Sequence, residues 1–210
     1  DLVRPLFARL QSQFHNIYLN TKVVSCELKN NRIAVQFEGD VEASSYDRIL
    51  VAVGRKPNTK DIGLESTGVK TDGHGFIQVD EKFQTDESSI FAIGDVIGGA
   101  MLAHKASAEG KDVVGILAGD EPNLKARTIP AVVFTDPEIA WCGLTETEAK
   151  NKDIKVQIVK FPWGASGRAQ TLGRPDGLTK LVLAPDTEQV LGMGVTGVGA
   201  GELIGEGVLA

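Results

Sequence analysis

The chain holds 210 residues, 42% of them apolar, and its 28 acidic against 22 basic side chains give a formal charge of −6. That balance suits a folded protein with a buried core and, with no Lys/Arg-rich run, excludes a nucleic-acid or anionic-membrane surface. No apolar run approaches the roughly 20 residues that span a bilayer, nothing resembles a secretory signal, and Cys26 and Cys142 form no C-x-x-C pair, so the expectation is a cytosolic protein with two buried thiols and no metal.

Asp1 to Leu10 carries apolar residues at helical spacing, with Asp1 placed to cap the helix. Ile17 to Cys26 alternates as a strand, Asn30-Asn31 supplies a turn, and Ile33 to Phe37 returns as the second arm of a hairpin. Tyr46-Asp47-Arg48-Ile49-Leu50-Val51-Ala52-Val53-Gly54 is a near-continuous apolar run that stops at a glycine. It predicts a strand buried on both faces of a sheet, the kind of strand whose end gathers ligands. Taken bare, Gly54 reads equally well as a simple strand terminator. Gly68 to Val79 predicts another hairpin, turning at Asp72-Gly73-His74-Gly75.

The stretch richest in chemistry follows. Ile90 to Ile93 predicts a short buried strand ending at Gly94-Asp95, then comes the Gly98-Gly99 loop, and a helix opens near Met101 or Leu102 and runs towards Leu117. The glycine lets backbone approach a ligand, and Asp95 sets an acceptor where a hydroxyl-bearing chain can pass. The helix start presents unpaired N–H groups and a positive dipole end to the same cleft. Gly94-Asp95 alone would be a turn; the whole run points to a ligand. His104 has no Cys, Asp or second His at metal-ligand spacing.

Glu121-Pro122-Asn123 predicts a linker, with a domain boundary near Arg127. Beyond it, Ile129 to Gly143 predicts two strands around an Asp136-Pro137 turn, and Thr145-Glu146-Thr147-Glu148-Ala149 a capped helix start. Ile154–Phe161, Leu178–Leu183 and Val190–Val195 predict strands, and Gly199 to Glu206 begins a helix. Phe161 to Ala169 suits either a partner-facing loop or a packed corner.

The order strand, Gly-Asp, glycine loop, Met101-Leu102-Ala103-His104, helix resembles the second flavin-binding motif of the pyridine nucleotide-disulfide oxidoreductases, in the form used by their lipoamide-reducing branch. The resemblance implies that Asp95 accepts a hydrogen bond from the ribityl chain of FAD, and that Gly94, Met101, Leu102, Ala103 and His104 line the flavin. It places Gly54 and Val23 at NAD. It implies a fold of α/β and α+β parts: residues 1–56 as the C-terminal part of an NAD-binding domain, 57–126 as an FAD-binding segment and 127–210 as a mixed-sheet interface domain that forms a homodimer.

The implied activity is oxidation of dihydrolipoamide by NAD+ through FAD and a redox disulfide. The implied partner is the lipoyl domain of a 2-oxo acid dehydrogenase complex or of the glycine cleavage system. The alternatives are a glutathione or mercuric ion reductase of the same fold, or an inert dimerisation module. Neither of the family's two upstream G-x-G-x-x-G loops, for FAD and for NAD, nor a C-x4-C disulfide, nor the family's C-terminal His-Glu pair is present. The chain is therefore expected to be cut at both ends, to hold no catalytic residue and to be inactive alone.

Overall fold

The computed structural model describes residues 2–120 and 128–210; Asp1, the linker at 121–123 and the boundary near Arg127 lie outside the described residues. Two compact units form, one from Gln11–Arg55 and one from Asp1–Leu10 with Lys56–Ala210.

Helix α1 spans Val3–Gln13, and Pro5 sits in its first turn, where a missing N–H costs nothing. In the smaller unit, β1 (Val23–Lys29) and β2 (Arg32–Phe37) form the expected hairpin. Asn30 and Asn31 are both left-handed, at φ 51° and 62°, which matches the twist that a two-residue turn requires. The strand starts at Val23 rather than Ile17 because Asn20 is left-handed and breaks the extended run. β3 (Ser44–Tyr46) adds a third strand on β2.

Two strand expectations fail. Residues 48–54 form no strand among the described residues, and Leu50 and Val53 are each 92% exposed. Ile90–Ile93 shortens to one bridge, Gln84 to Phe91, with only Ala92 buried in the run. A strand meant for a sheet interior exists only through hydrogen bonds to its neighbours, and among the described residues no strand flanks either run.

The loops between them are held by repeated aspartate turns. The Asp72 carboxylate accepts from the N–H groups of His74 and Phe76 at 2.8 and 3.0 Å, and Asp80 accepts from Lys82 and Gln84 at 2.8 and 2.9 Å. Both are side-chain mimics of a backbone turn. The hairpin expected over Gly68–Val79 survives as a bridge from Thr71 to Ile77.

After α2 (Ala103–Ala118), which ends on left-handed Gly119, the C-terminal residues build a five-stranded sheet. Its strands are β4 (Ala131–Val133), β5 (Glu138–Gly143), β6 (Gln157–Pro162), β7 (Leu178–Leu183) and β8 (Val190–Gly197), in the order β4-β5-β8-β7-β6. Every pair is antiparallel, so the sheet is not mixed in direction as expected. β4–β5, β6–β7 and β7–β8 are consecutive in the chain, whereas β5 pairs with β8 across the intervening β6 and β7.

Alternation along β5 and β8 sends Ala140, Cys142 and Val195 to one face, where Ala200 and Ile204 of α5 (Ala200–Leu209) close the core. Gly207 permits the close approach: a Cβ there would lie 2.6 Å from Met193 Sδ and 3.1 Å from Cys142 Sγ. On the other face Leu2 lies over Gly194, and its carbonyl accepts from Thr196 Oγ1 at 2.7 Å.

Helix α3 (Glu146–Asn151) starts with a complete capping box: Thr145 Oγ1 accepts from the Glu148 N–H, and the Glu148 carboxylate accepts from the Thr145 N–H. The Phe161–Ala169 stretch forms a short turn that leads into α4 (Gly167–Thr171), with Ala169 buried and Phe161 exposed. Trp163 packs on the core and donates its Nε1–H to Thr179 Oγ1 at 2.9 Å.

Candidate functional site

Asp95 is the second residue of a 3-10 turn, Gly94–Ile97, and is solvent-exposed. The turn starts at Gly94, left-handed at φ +75°, whose missing Cβ would stand 3.0 Å from Ala106 Cβ on α2. A side chain at 94 would wedge turn and helix apart, so glycine is required on two counts.

The turn is anchored by two side chains from α2. Glu109 Oε2 accepts from the Gly94 N–H at 2.7 Å, and Glu109 Oε1 pairs with Lys105 Nζ at 2.6 Å. Lys105 Nζ also donates to the Gly98 carbonyl at 3.2 Å. Both side chains are largely buried, at 15% and 11% exposed. Sequence reasoning missed this pair; its signal is a Lys and a Glu four residues apart on the helix face turned towards the glycine turn.

At the start of α2, Leu102 is the N-cap residue, with no side-chain cap, and the first turn carries no acid. The positive end of this 16-residue helix follows the Asp95 turn by a few residues. An exposed carboxylate and an uncapped helix start form a donor and acceptor set that fits a polyhydroxylated chain joined to a group that gains negative charge.

His104 is exposed and faces a protein partner: its Nε2 lies 2.6 Å from the Pro130 carbonyl, which can only accept, so Nε2 carries the proton. The bond ties the first turn of α2 to the strand region beyond residue 127. Met101 and Leu102 are half-buried and Ala103 is exposed.

In the smaller unit, Val23 and Val53 line one cleft of about 580 Å³, walled also by Phe14, Tyr18, Phe37 and Tyr46. Gly54 follows Val53 at φ +123°, with open space where a Cβ would stand. The two residues expected at NAD are thus brought into one neighbourhood by the hairpin and the 48–54 run.

The expectation of two buried thiols is half right. Cys142 is 2% exposed, and burial pushes its thiol pKa up. Cys26 is exposed: it pairs with buried Val35 across the hairpin but opens onto the cleft lined by Val23 and Val53.

The site and the antiparallel domain that follows it define a class, and the chain belongs to the pyridine nucleotide-disulphide oxidoreductases. The model of that family matches residues 8–110, and the model of its dimerisation domain matches residues 129–210. Among individual proteins, the chain is 41% identical over 98% of its length to the dihydrolipoyl dehydrogenase of Vibrio cholerae. It is also 41% identical over 96% of its length to the mitochondrial dihydrolipoyl dehydrogenase of Homo sapiens. It spans 44% and 40% of those two proteins, less than half of either.

Among solved structures, the HOCl-induced flavoprotein disulfide reductase RclA of Escherichia coli superposes over 100% of the chain and 48% of its own, with TM-score 0.90 and 26% identity. LpdA of Mycobacterium tuberculosis superposes over 97% of the chain and 44% of its own, with TM-score 0.88 and 25% identity.

Proposed function

We propose that this chain is a C-terminal portion of a dihydrolipoyl dehydrogenase, which oxidises dihydrolipoamide to lipoamide and reduces NAD+ to NADH. The observation that carries the reading is the Asp95 turn set against the uncapped start of α2. In it, the Asp95 carboxylate accepts hydrogen bonds from the ribityl hydroxyls of FAD, and the first-turn N–H groups of α2 favour negative charge on the adjoining ring system. Gly94, Met101, Leu102, Ala103 and His104 shape that pocket, His104 by holding the helix start to the Pro130 carbonyl. Gly54 and Val23 line the approach of NAD.

FAD, when bound, supplies the two-electron relay between nicotinamide hydride and the thiol–disulfide couple. This chain's part is to bind, orient and electrostatically bias the flavin. The thiols of the relay are assigned to another segment: Cys142 is buried, and Cys26, though exposed, has no second cysteine near it in sequence to resolve a disulfide.

We further assign residues 1–56 to the NAD domain, 57–126 to the FAD segment and 127–210 to the interface domain of a homodimer. The partner is the lipoyl domain of a 2-oxo acid dehydrogenase complex or of the glycine cleavage system, in the cytoplasm. Identity of 41% to dihydrolipoyl dehydrogenases supports this over a glutathione or mercuric ion reductase.

The test is NADH-dependent turnover by the purified full-length protein with lipoamide, glutathione disulfide and Hg(II) in parallel. A yellow protein that turns over lipoamide best is expected, and the 210-residue chain with FAD and NADH added is expected to be inactive. A colourless full-length protein, or preference for either other substrate, would overturn the reading.

A further inference from the structure

Lys105 and Glu109 form a largely buried ion pair on α2, and two features argue that it does not serve helix stability. Its order, lysine four residues before glutamate, is the less favourable one for the helix dipole. Burying two charges also costs more than burying apolar side chains of similar size, so as mere packing the pair would be a poor choice.

The backbone contacts explain it. The turn from Gly94 to Gly98 begins and ends on left-handed glycines, at φ +75° and +79°, and glycine has little intrinsic preference to hold such a conformation. Glu109 accepts from the N–H at the start of the turn, and Lys105 donates to the carbonyl at its end. Each charge thus meets a backbone dipole of the right sign, and the two neutralise one another between the contacts.

We infer that Lys105 and Glu109 are positioning residues that clamp both ends of the Gly94–Gly98 turn and so fix Asp95 for flavin binding. This rests on the reading of Asp95 as the flavin acceptor.

Charge reversal separates positioning from simple ion pairing. In K105E/E109K the pair and the net charge persist, but an ammonium then faces the Gly94 N–H and a carboxylate the Gly98 carbonyl, donor against donor and acceptor against acceptor. Full-length apoprotein of the wild type, Glu109→Gln, K105E/E109K and Asp95→Ala is titrated with FAD, and amide exchange is followed in the peptide containing Gly94.

Expected is FAD binding weaker by about tenfold in Glu109→Gln, which keeps an oxygen over Gly94 but strips Lys105 of its counter-charge, and by about a hundredfold in the reversal. Gly94 exchange should rise in both and stay low in Asp95→Ala. Wild-type FAD affinity and Gly94 protection in the reversal would overturn the clamp. Should the reversal fail to fold, unchanged FAD affinity in Glu109→Gln overturns it by itself. If Asp95→Ala binds FAD normally, the reading of Asp95 falls instead, whatever the other variants do.

Discussion

The five-stranded sheet of residues 131–197 and the apolar run of residues 48–54 are both rich in strand-forming residues, yet one is closed and the other bare. Val195 and Thr196 in the sheet are 0% exposed, while Leu50 and Val53 in the run are each 92% exposed. The difference lies in where the partners are. All four pairings of the sheet, including that of β5 with β8 across β6 and β7, fall inside residues 131–197, whereas the 48–54 run has no flanking strand among the described residues. The sheet thus satisfies its own hydrogen bonds within 80 residues of chain, and the run does not.

The contrast breaks most visibly at Trp163, which packs on the closed core and bonds Thr179. Trp163→Ala is expected to cost about 3 kcal/mol in urea unfolding of the chain, followed by the near-ultraviolet signal of the remaining tryptophan, Trp141. A loss under 1 kcal/mol would mean that the corner is a loose flap.

At the open run the expected sign depends on context. Leu50→Ser in this chain should change stability by less than about 0.5 kcal/mol, as an exposed substitution does, whereas in a full-length protein that covers the run it should cost about 2 kcal/mol. Equal effects in the two settings would show that the run is covered in neither or in both.

Smaller effects come from single caps and charges in the closed domain. Thr145→Ala removes the capping box of α3 and should cost about 1 kcal/mol in the same unfolding experiment. Hydrogen bonds first from Arg174 and then from Arg9 hold the Asp136 carboxyl below its ordinary value of 3.8, and Arg174 lowers Asp176 likewise. Depressed carboxylates stabilise the fold fully above their unfolded pKa and lose that contribution as pH falls through the lower folded value. Arg174→Met should therefore lower stability by a constant amount from pH 7 to pH 5, leaving the slope there unchanged, and flatten the further loss below about pH 4; an altered slope at neutral pH would contradict the assignment. In thiol labelling, Cys26 should react in the native chain and Cys142 only after unfolding.

How much of this could be read in advance follows the same division. Leu178–Leu183 matches its predicted strand to the residue, and the Thr145 cap, the Asn30-Asn31 turn and the start of α2 lie where their side-chain chemistry puts them. These rest on local physics: alternation, turn conformers and capping. Ile90–Ile93 has the composition of a strand and nearly none of its pairing, because composition reports a propensity and pairing needs a neighbour. Ser44–Tyr46 formed a strand that three residues of no pattern could not announce.

At the candidate site, the turn at Gly94-Asp95 and the helix after it were legible from the glycine and the acid. The Lys105–Glu109 pair was not, because a charged pair on a helix ordinarily marks a solvated face. Only the fold shows it turned inward against Gly94. The exposure of Cys26 was missed for the converse reason: its place on a strand suggested burial, and nothing local records that it opens onto a cleft.

The most direct measurement of the central claim is the FAD dissociation constant of the full-length protein with Asp95 replaced by alanine, determined by titrating apoprotein. Loss of a charged acceptor should weaken binding by about 1.5–3 kcal/mol while the fold, followed by far-ultraviolet circular dichroism, is unchanged. An Asp95→Ala protein that binds FAD as tightly as the wild type would contradict the account.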